Sequence, residues 1–506
     1  MILTIHINQK RIIGKRNPMI YGHFIEHFHR QIYDGIYDPE NSLSDEDGFR
    51  TDIIEAMKKL QIPILRWPGG CFVSSYHWKD AVGKDRKPFF DKAWRVEDPN
   101  TFGTDEYIKL CRKLGCEPYI CTNAGTGTVE EMSDWVEYCN LEQEGRYAKQ
   151  RIENGHKEPY KVKYWSIGNE NYGSWEIGAK SADEWGRLVR EAAKMIKHVD
   201  PETELSAAAL PDIDWTINLL KNCGAYLDWI SLHGYWDMVP ERNELADYEQ
   251  CMGFTSQIDR AVQDVRGILT ALHLEKKIKI AFDEWNLRSW HHPNVHTVEQ
   301  GRDKKDYIDP RDKNDDNSSY TMADAVFTAC FLNAMNRNCD IVGMANFAPV
   351  LNTRGCIYSY KDGIVLRSTY HVFDLYVNYL GDTVIDLWAE NEIPMISIQH
   401  KYGNIMSVEQ VDILATKWQN KAGMAVAAVN KHRTEGQTVK ICTGTEKTVF
   451  DVAIYSICGN TEDSYNDIDR NEVTIIKSEL GKCKAEVTVE LKPHSVNVIQ
   501  LLHVTI

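Results

Sequence analysis

No stretch of this sequence approaches the roughly 18 consecutive apolar residues that a membrane-spanning helix needs, which argues against a helical membrane protein. The segment MILTIHINQKRIIGKRNPM has neither a continuous apolar core nor a small-residue cleavage site, so it does not read as a secretory signal. CxxC pairs are absent, and the 13 cysteines are odd in number and scattered. That pattern fits reduced thiols better than a disulfide framework, and the expected compartment is cytoplasmic, with a substrate small enough to be imported. A basic excess is also missing: 58 Lys and Arg against 74 Asp and Glu leave a net charge of -16, with a pI of 5.6. Nucleic acid and anionic membrane surfaces are therefore not expected as partners. No glycine-rich phosphate turn follows the first barrel-type strand, where Tyr21-Gly22-His23-Phe24-Ile25-Glu26 stands instead. This disfavours a dinucleotide fold and a dehydrogenase. HExxH is absent as well. The run His23-Phe-Ile-Glu26-His27-Phe-His29 lacks that spacing, and His291-His292 has no Cys or Asp at ligand spacing. No metal and no cofactor are expected.

What is present is enough apolar sequence for a large core. The chain has 506 residues, of which 43% are hydrophobic and 26% charged, more than one ordinary domain requires. Fourteen tryptophans serve either core packing or the apolar faces of sugars. Short apolar runs ending near Phe24, Arg66, Thr122, Asn169, Ala209, His233, Glu284 and Asn346 alternate with amphipathic patterns. The helical patterns include 48–60, 104–114, 182–198, 256–274 and 322–336. Short buried strands alternating with helices make parallel βα units, and eight of them predict a (β/α)8 TIM barrel over residues 15–380. From about Gly381 helical signals give way to period-2 runs, among them 424–430, 438–442, 449–456 and 495–502. These predict a C-terminal all-β, jelly-roll-like sandwich over 381–506. Ile2–Ile7 and Arg11–Gly14, separated by Asn8-Gln9-Lys10, read as an N-terminal hairpin (1–14) packing with that sandwich. The charged segment Asn294–Ser319 reads as a long solvated loop.

Catalytic groups of a barrel lie at the C-terminal ends of its strands. Strand four runs Trp165-Ser-Ile-Gly-Asn169-Glu170, and strand seven runs Ile278-Lys-Ile-Ala-Phe-Asp283-Glu284-Trp-Asn286. Two carboxylates facing each other across a barrel mouth are what glycoside hydrolysis requires. One protonates the leaving oxygen, and the other attacks or stabilises the anomeric carbon. A single such Glu could equally cap a helix N-terminus; two matching strand ends argue against that. The ionised nucleophile is expected to raise the pKa of its partner by like-charge repulsion. Asn169 is placed to bond a sugar 2-OH. Arg66 either bonds Glu284 or forms a barrel-interior ion pair, and Tyr235 either donates to the nucleophile or packs in the core.

The whole chain resembles glycoside hydrolase family 51, the α-L-arabinofuranosidases. The motifs are Tyr21-Gly-His-Phe-Ile-Glu-His27, Gly35-Ile-Tyr-Asp-Pro39, Asp45-Glu-Asp-Gly-Phe-Arg50, Arg66-Trp-Pro-Gly-Gly-Cys-Phe72, Trp165–Glu170 with Trp175-Glu-Ile-Gly178, and Phe282-Asp-Glu-Trp-Asn286. The resemblance implies a retaining exo-enzyme with Glu170 as acid/base and Glu284 as nucleophile. It places Glu26, Cys71, Asn169 and Tyr235 around an arabinose subsite, with Arg66 and His233 in the same substrate-binding set. It puts Trp94 on the leaving-group side. The implied partner is an arabinose-containing oligosaccharide, and a homo-oligomer, as large as a hexamer, is implied too. Two departures stand out. The Gln that many members carry after strand eight is missing, leaving Asn346, Asn352 or Arg354 to compensate. Strand six reads His233-Gly-Tyr-Trp236, where relatives often differ between His and Tyr. A β-xylosidase or endoglucanase is the alternative on the same scaffold, and the intact pair of glutamates disfavours a carbohydrate-binding protein on a dead barrel.

Overall fold

The computed structural model describes residues 2–236, 246–287, 317–399, 405–445 and 447–504. His291-His292 and the segment Asn294–Ser319 lie outside the described residues, save for a short 3-10 turn at Asn317–Ser319. Among the described residues, eight parallel strands form one sheet: Gly22–Phe24, Ile64–Trp67, Glu117–Thr122, Tyr164–Ile167, Glu204–Ala207, Trp229–Trp236, Lys279–Leu287 and Val342–Phe347. The fifth and sixth strands meet through a parallel bridge, Ala208 to Ser231, and Ala209 N donates to Ser231 O at 2.8 Å, which closes the ring. The expected barrel is thus present. Its strands are apolar on both faces because helices cover the outside.

The described helices are α1 (Thr51–Lys59), α2 (Thr104–Leu114), α3 (Val129–Asn140), α4 (Gly145–Glu153), α5 (Ala182–Val199), α6 (Ile213–Cys223), α7 (Tyr248–Ala271), α8 (Met322–Arg337) and α9 (Ser368–Tyr379). In α5, Trp185, Val189, Ala192, Ala193 and Ile196 form the buried stripe. Its start is fixed by a reciprocal cap in which Ser181 and Glu184 each bond the other's backbone N–H. Two helices start away from their sequence-based positions, for the same kind of reason. α1 begins at Thr51 because the Asp45 carboxylate accepts from Asp47 N and Phe49 N and holds a turn there. α7 begins at Tyr248, well before residue 256, because Asp247 and Gln250 make a capping box.

Nine of the remaining strands form a second all-β sheet, and the others pair as two-stranded ribbons. Its order is 475–483, 450–457, 495–503, 423–430, 411–417, 383–389, 2–15, 437–442 and 486–491. The expected N-terminal hairpin is corrected: Ile2–Lys15 is one continuous strand. It pairs antiparallel with 383–389 and parallel with 437–442. Asn8 Oδ1 accepts from Lys10 N and Arg11 N, so the polar triplet makes a bulge with two register shifts rather than a reversal. The strand at 423–430 is buried on both faces. Met424, Val426 and Ala428 enter the sheet's own core, while Ala425, Ala427 and Val429 join the barrel core. Between barrel and sheet lies α8, buried almost throughout. It touches the seventh and eighth barrel strands on one side and the strands at 411–417, 423–430 and 495–503 on the other. A helix apolar all round belongs in such a layer. Its polar tie is Arg337, which reaches Asp412 at 2.6 Å, with Asn333 donating to the same carboxylate at 2.8 Å.

Candidate active site

Glu170 follows the fourth barrel strand in a tight turn. Gly168 and Glu170 both take left-handed backbone, with φ of 69° and 43°, and Gly173 N donates to Glu170 O at 2.7 Å. For Glu170 this conformation costs on the order of 1 kcal/mol, and it turns the carboxylate back over the barrel mouth. On the seventh strand a bulge between Ala281 and Glu284 inserts one residue against the sixth strand. Both Asp283 and Glu284 consequently reach Arg66.

Arg66 has no exposed surface. Its Nη1 donates to Glu284 Oε1, its Nη2 donates to Asn169 Oδ1 at 3.0 Å, and its Nε lies 3.5 Å from Asp283 Oδ2. Both readings left open for Arg66 therefore hold at once. Tyr235 OH donates to Glu284 Oε2 at 2.7 Å, so the nucleophile candidate has a donor on each oxygen. Asp283 accepts from Tyr119 OH at 2.7 Å and Ser231 Oγ at 2.6 Å. Burial opposes its charge, but Arg66, His233 and Ser231 hold its carboxyl below the usual range.

His233 sits at the centre of the charges. Its Nδ1 is 2.8 Å from Glu170 Oε1 and 3.6 Å from Glu284 Oε2, and its Nε2 is 3.5 Å from Asp283 Oδ1. Burial alone would lower its pKa. The three carboxylates outweigh that and raise it to about 10. Glu170 responds in the opposite sense. Burial pushes its carboxyl up, yet the bond to His233, that residue's charge, Trp175 Nε1 at 2.8 Å and the charge of Arg66 bring it below the ordinary value. The like-charge elevation expected for Glu170 is thus overturned, because an imidazolium stands between the two glutamates.

Glu26 closes the opposite side. Its Oε1 accepts from Phe72 N at 3.1 Å and Trp94 Nε1 at 2.9 Å. Burial first, then the charge of Glu284, raises its pKa to about 8, so it carries a proton at neutral pH. Gly69 and Gly70 let the backbone pass this close. A Cβ on Gly69, where φ is +147°, would lie 2.2 Å from Glu26 Cγ, and one on Gly70 would lie 3.1 Å from Glu284 Oε1. Asn169 Nδ2 bonds Glu176 Oε2 at 3.3 Å and keeps its second hydrogen. Cys71 is half-buried, and burial together with the charges of Glu176, Glu170 and Glu26 keeps it a thiol. Trp94 faces Glu26; the aromatic on the Glu170 side is Trp175, 64% exposed.

Two groups of candidate metal ligands exist among the described residues, Cys71 with Glu170 and Glu176, and Glu170 with His233 and Glu284. The atoms of each lie within 4.8 Å of one another, and the bonds above already engage Glu170 and Glu284 with N–H or O–H donors. The histidine cluster near the first strand is core. His27 bonds Asp98 at 3.0 Å, accepts from Trp67 Nε1 at 3.1 Å and stacks on Phe72, and burial lowers the pKa of His23 to about 3.

Comparison with known proteins agrees with this geometry. Residues 56–251 match the family model described as "Alpha-L-arabinofuranosidase 1 domain", and 283–495 match "Alpha-L-arabinofuranosidase C-terminal domain". A probable α-L-arabinofuranosidase C of Aspergillus niger is 33% identical over 494 residues, covering 94% of this chain and 93% of the relative. The chain belongs to the family 51 α-L-arabinofuranosidases. An intracellular exo-α-(1→5)-L-arabinofuranosidase of Acetivibrio thermocellus is 35% identical over 363 residues, covering 69% of this chain and 70% of that one. The solved arabinose complex of the Thermotoga maritima α-L-arabinofuranosidase superposes with a TM-score of 0.88 at 34% identity. It covers 99% of this chain and 100% of that one. The arabinofuranosidase described here is accordingly a glycoside hydrolase.

Sequence reasoning gave no role to Asp283, Trp175 or Glu176. The first adjoins Glu284 in sequence, but its inward aim depends on a bulge. The other two follow Glu170 by five and six positions, inside a motif quoted only for its family likeness. Of the three residues offered in place of a glutamine after strand eight, Asn346 donates to His23 O at 2.9 Å and Asn352 to Arg30 O at 2.6 Å. Those two amides are committed to backbone.

Proposed function

We propose that this arabinofuranosidase is a retaining exo-hydrolase that releases terminal α-L-arabinofuranosyl groups from arabinose-containing oligosaccharides by double displacement. The observation that carries the reading is the separation of the two glutamates: a carboxylate oxygen of each lies within 4.8 Å of the other. Retaining pairs stand about 5 to 5.5 Å apart, whereas inverting pairs leave room for a water at roughly 6.5 to 9.5 Å. Glu284, held by Arg66 and Tyr235, attacks the anomeric carbon as the glycosidic C–O bond breaks. The proton for the departing oxygen comes through Glu170 Oε1, replenished across the 2.8 Å contact with His233 Nδ1. Water then attacks the glycosyl-enzyme, its proton returns to the Glu170–His233 pair, and Glu284 departs as carboxylate. Neutral Glu26 and the free hydrogen of Asn169 offer donors to sugar hydroxyls. The exposed Trp175 indole, bonded to Glu170, offers a face to the leaving group, a role that Trp94, turned to Glu26, is less well placed to fill.

All 13 cysteines are free, and no described helix is long and apolar enough to cross a membrane. The thiols support a reducing, cytoplasmic site of action. The decisive experiment traps the intermediate with a slow fluorinated or cyclophellitol-type arabinofuranosyl reagent, followed by peptide mass spectrometry and by NMR of the first-formed sugar. Label on Glu284 and retained configuration are expected. An inverted product, or label elsewhere, refutes the mechanism. Rates on a panel of nitrophenyl arabinofuranosides and xylosides test the glycone, and light scattering tests the homo-oligomer.

A further inference from the structure

A cavity of about 410 Å³ opens between the loops that follow the second and third barrel strands. That volume falls within the roughly 300 to 1,000 Å³ of small-molecule sites. Its walls include Ser75, His77, Asp80, Phe90, Lys92 and Thr126. One turn fixes where it lies. The 3-10 turn Cys71–Ser75 begins at a thiol whose Sγ is within 4.8 Å of a Glu170 carboxylate oxygen, and it ends at a wall of the cavity. Four steps at a rise of about 2 Å set the two ends about 8 Å apart. The facing wall is joined to the loop of the acid/base candidate. Thr126 N donates to Ser74 O at 3.0 Å, and a Cβ on neighbouring Gly125 would lie 2.7 Å from Ile177 O, two residues after Trp175. The cavity therefore adjoins the flank of Glu170 where Trp175 stands, the flank to which the mechanism proposed above sends the leaving group.

The groups around the cavity suit a neutral ring rather than an ion. Phe90 is 54% exposed, on a three-residue strand whose other residues turn inward. Phe89 meets Phe72, with ring centroids 6.0 Å apart, and Asp91 is buried. Asp91 accepts from Ser75 Oγ at 3.3 Å and from Trp94 N at 2.8 Å, so the strand that presents Phe90 is tied both to the cavity wall and to the Trp94 turn. The ring offers a flat apolar face, and hydrogen-bonding side chains with accessible surface stand around it. Their charges balance: His77 bonds Glu131 at 3.0 Å, and Lys92 is offset by Asp80. A site for phosphate or for a cation carries an excess of one sign. A sugar unit, neutral, with an apolar face and a fringe of hydroxyls, matches this mixture. We propose that the cavity is a distal subsite for the leaving chain: it takes a sugar beyond the unit joined at the cleaved bond, with Phe90 as the stacking face and Lys92 and Thr126 as hydroxyl partners. The assignment rests on the reading of the substrate as an arabinose-containing oligosaccharide, and it adds a preference for longer chains.

The test measures kcat/KM for 4-nitrophenyl α-L-arabinofuranoside, arabinobiose, arabinotriose and arabinotetraose in the parent, in Phe90→Ala and in Phe90→Tyr, with thermal unfolding of each. In the parent, kcat/KM should rise about 3- to 10-fold from arabinobiose to the longer chains, the worth of one aromatic contact. Phe90→Ala should lose that rise. Its rates on arabinobiose and the nitrophenyl substrate, which end short of the cavity, should stay near the parent's, as should its unfolding temperature. Phe90→Tyr keeps a flat ring and should keep the rise. Parent rates that do not depend on chain length overturn the proposal, as does a length dependence that survives in Phe90→Ala or is lost equally in Phe90→Tyr. An equal loss on the nitrophenyl substrate also overturns it, by showing that Phe90 acts through the Trp94 turn. The substrate reading fails separately, if the parent releases arabinose from none of the oligosaccharides.

Discussion

Replacing His233 by asparagine removes the cation that keeps Glu170 ionised and holds the proton it delivers. In the parent enzyme the Glu170–His233 pair keeps one proton until pH approaches the raised histidine pKa of about 10. The basic limb of kcat/KM, which reports the free enzyme, should lie correspondingly high. In His233→Asn the proton must reside on Glu170 alone. Glu176 shows the direction that burial imposes on a carboxyl here. It is buried beside Glu170 without a histidine of its own, and burial plus the charge of Glu170 sets it at about 7. Glu170, freed from its cation, is left with burial as the dominant influence, which pushes its carboxyl up. The sign is fixed by the protonated pair being the competent form, so activity is lost as pH rises through the governing pKa. The basic limb should therefore move acidward from near 10, because a carboxyl without a neighbouring cation gives up its proton before the raised His233 does. The assay is kcat/KM for 4-nitrophenyl α-L-arabinofuranoside from about pH 4 to about pH 11, with circular dichroism at each pH to exclude unfolding. A basic limb that stays in place, or moves alkaline, refutes the shared proton.

Glu170→Ala should lose turnover on natural oligosaccharides yet keep much of its first step on aryl glycosides with good leaving groups, and azide should partly restore the second; equal losses without rescue count against the acid/base role. Glu26 titrates at about 8 in the folded protein against 4.5 as its ordinary value, so the fold gains a few kcal/mol from its neutral form below about pH 4.5 and loses it as pH rises through about 8. Glu26→Gln mimics that neutral form, and its unfolding temperature should fall less than the parent's across this window. Gly70→Ala places a methyl 3.1 Å from Glu284 Oε1; KM for arabinofuranosides should rise sharply with unfolding temperature nearly unchanged. Removing 381–506 bares the apolar flank of α8, so the shortened chain should be insoluble or fail to unfold cooperatively, whereas a soluble, active barrel would show the sheet to be dispensable.

The barrel was legible because buried parallel strands are written as short apolar runs, and those of strands four and seven run straight into glutamates. That is why Glu170 and Glu284 could be singled out from strand endings alone. The protonation of Glu170 was not legible. It depends on His233, 63 residues away in sequence, and on Asp283, whose inward aim needs a bulge that no alternation pattern encodes. The N-terminal segment was misread for a related reason. Asn8-Gln9-Lys10 is polar enough for a turn, yet the partners that keep Ile2–Lys15 extended lie at 383–389 and 437–442, beyond the reach of local pattern. Trp175 and Arg354 sit in loops, where sequence states composition but not direction.

The pairing of Ile5 with Ile441 also bears on how the chain is made. At about 5 to 20 residues per second, the first strand leaves the ribosome on the order of a minute before its parallel neighbour is synthesised. Until 383–389 is made its apolar face, Leu3, Ile5 and Ile7, has no sheet to enter, and α8 has only the barrel on one side. Contacts this distant in sequence are also slow to form once the chain is complete. Assembly of this enzyme cannot proceed simply from front to back. The nascent barrel must wait, with a strand edge and a helix flank uncovered, and such surfaces are prone to aggregate until the sheet is complete.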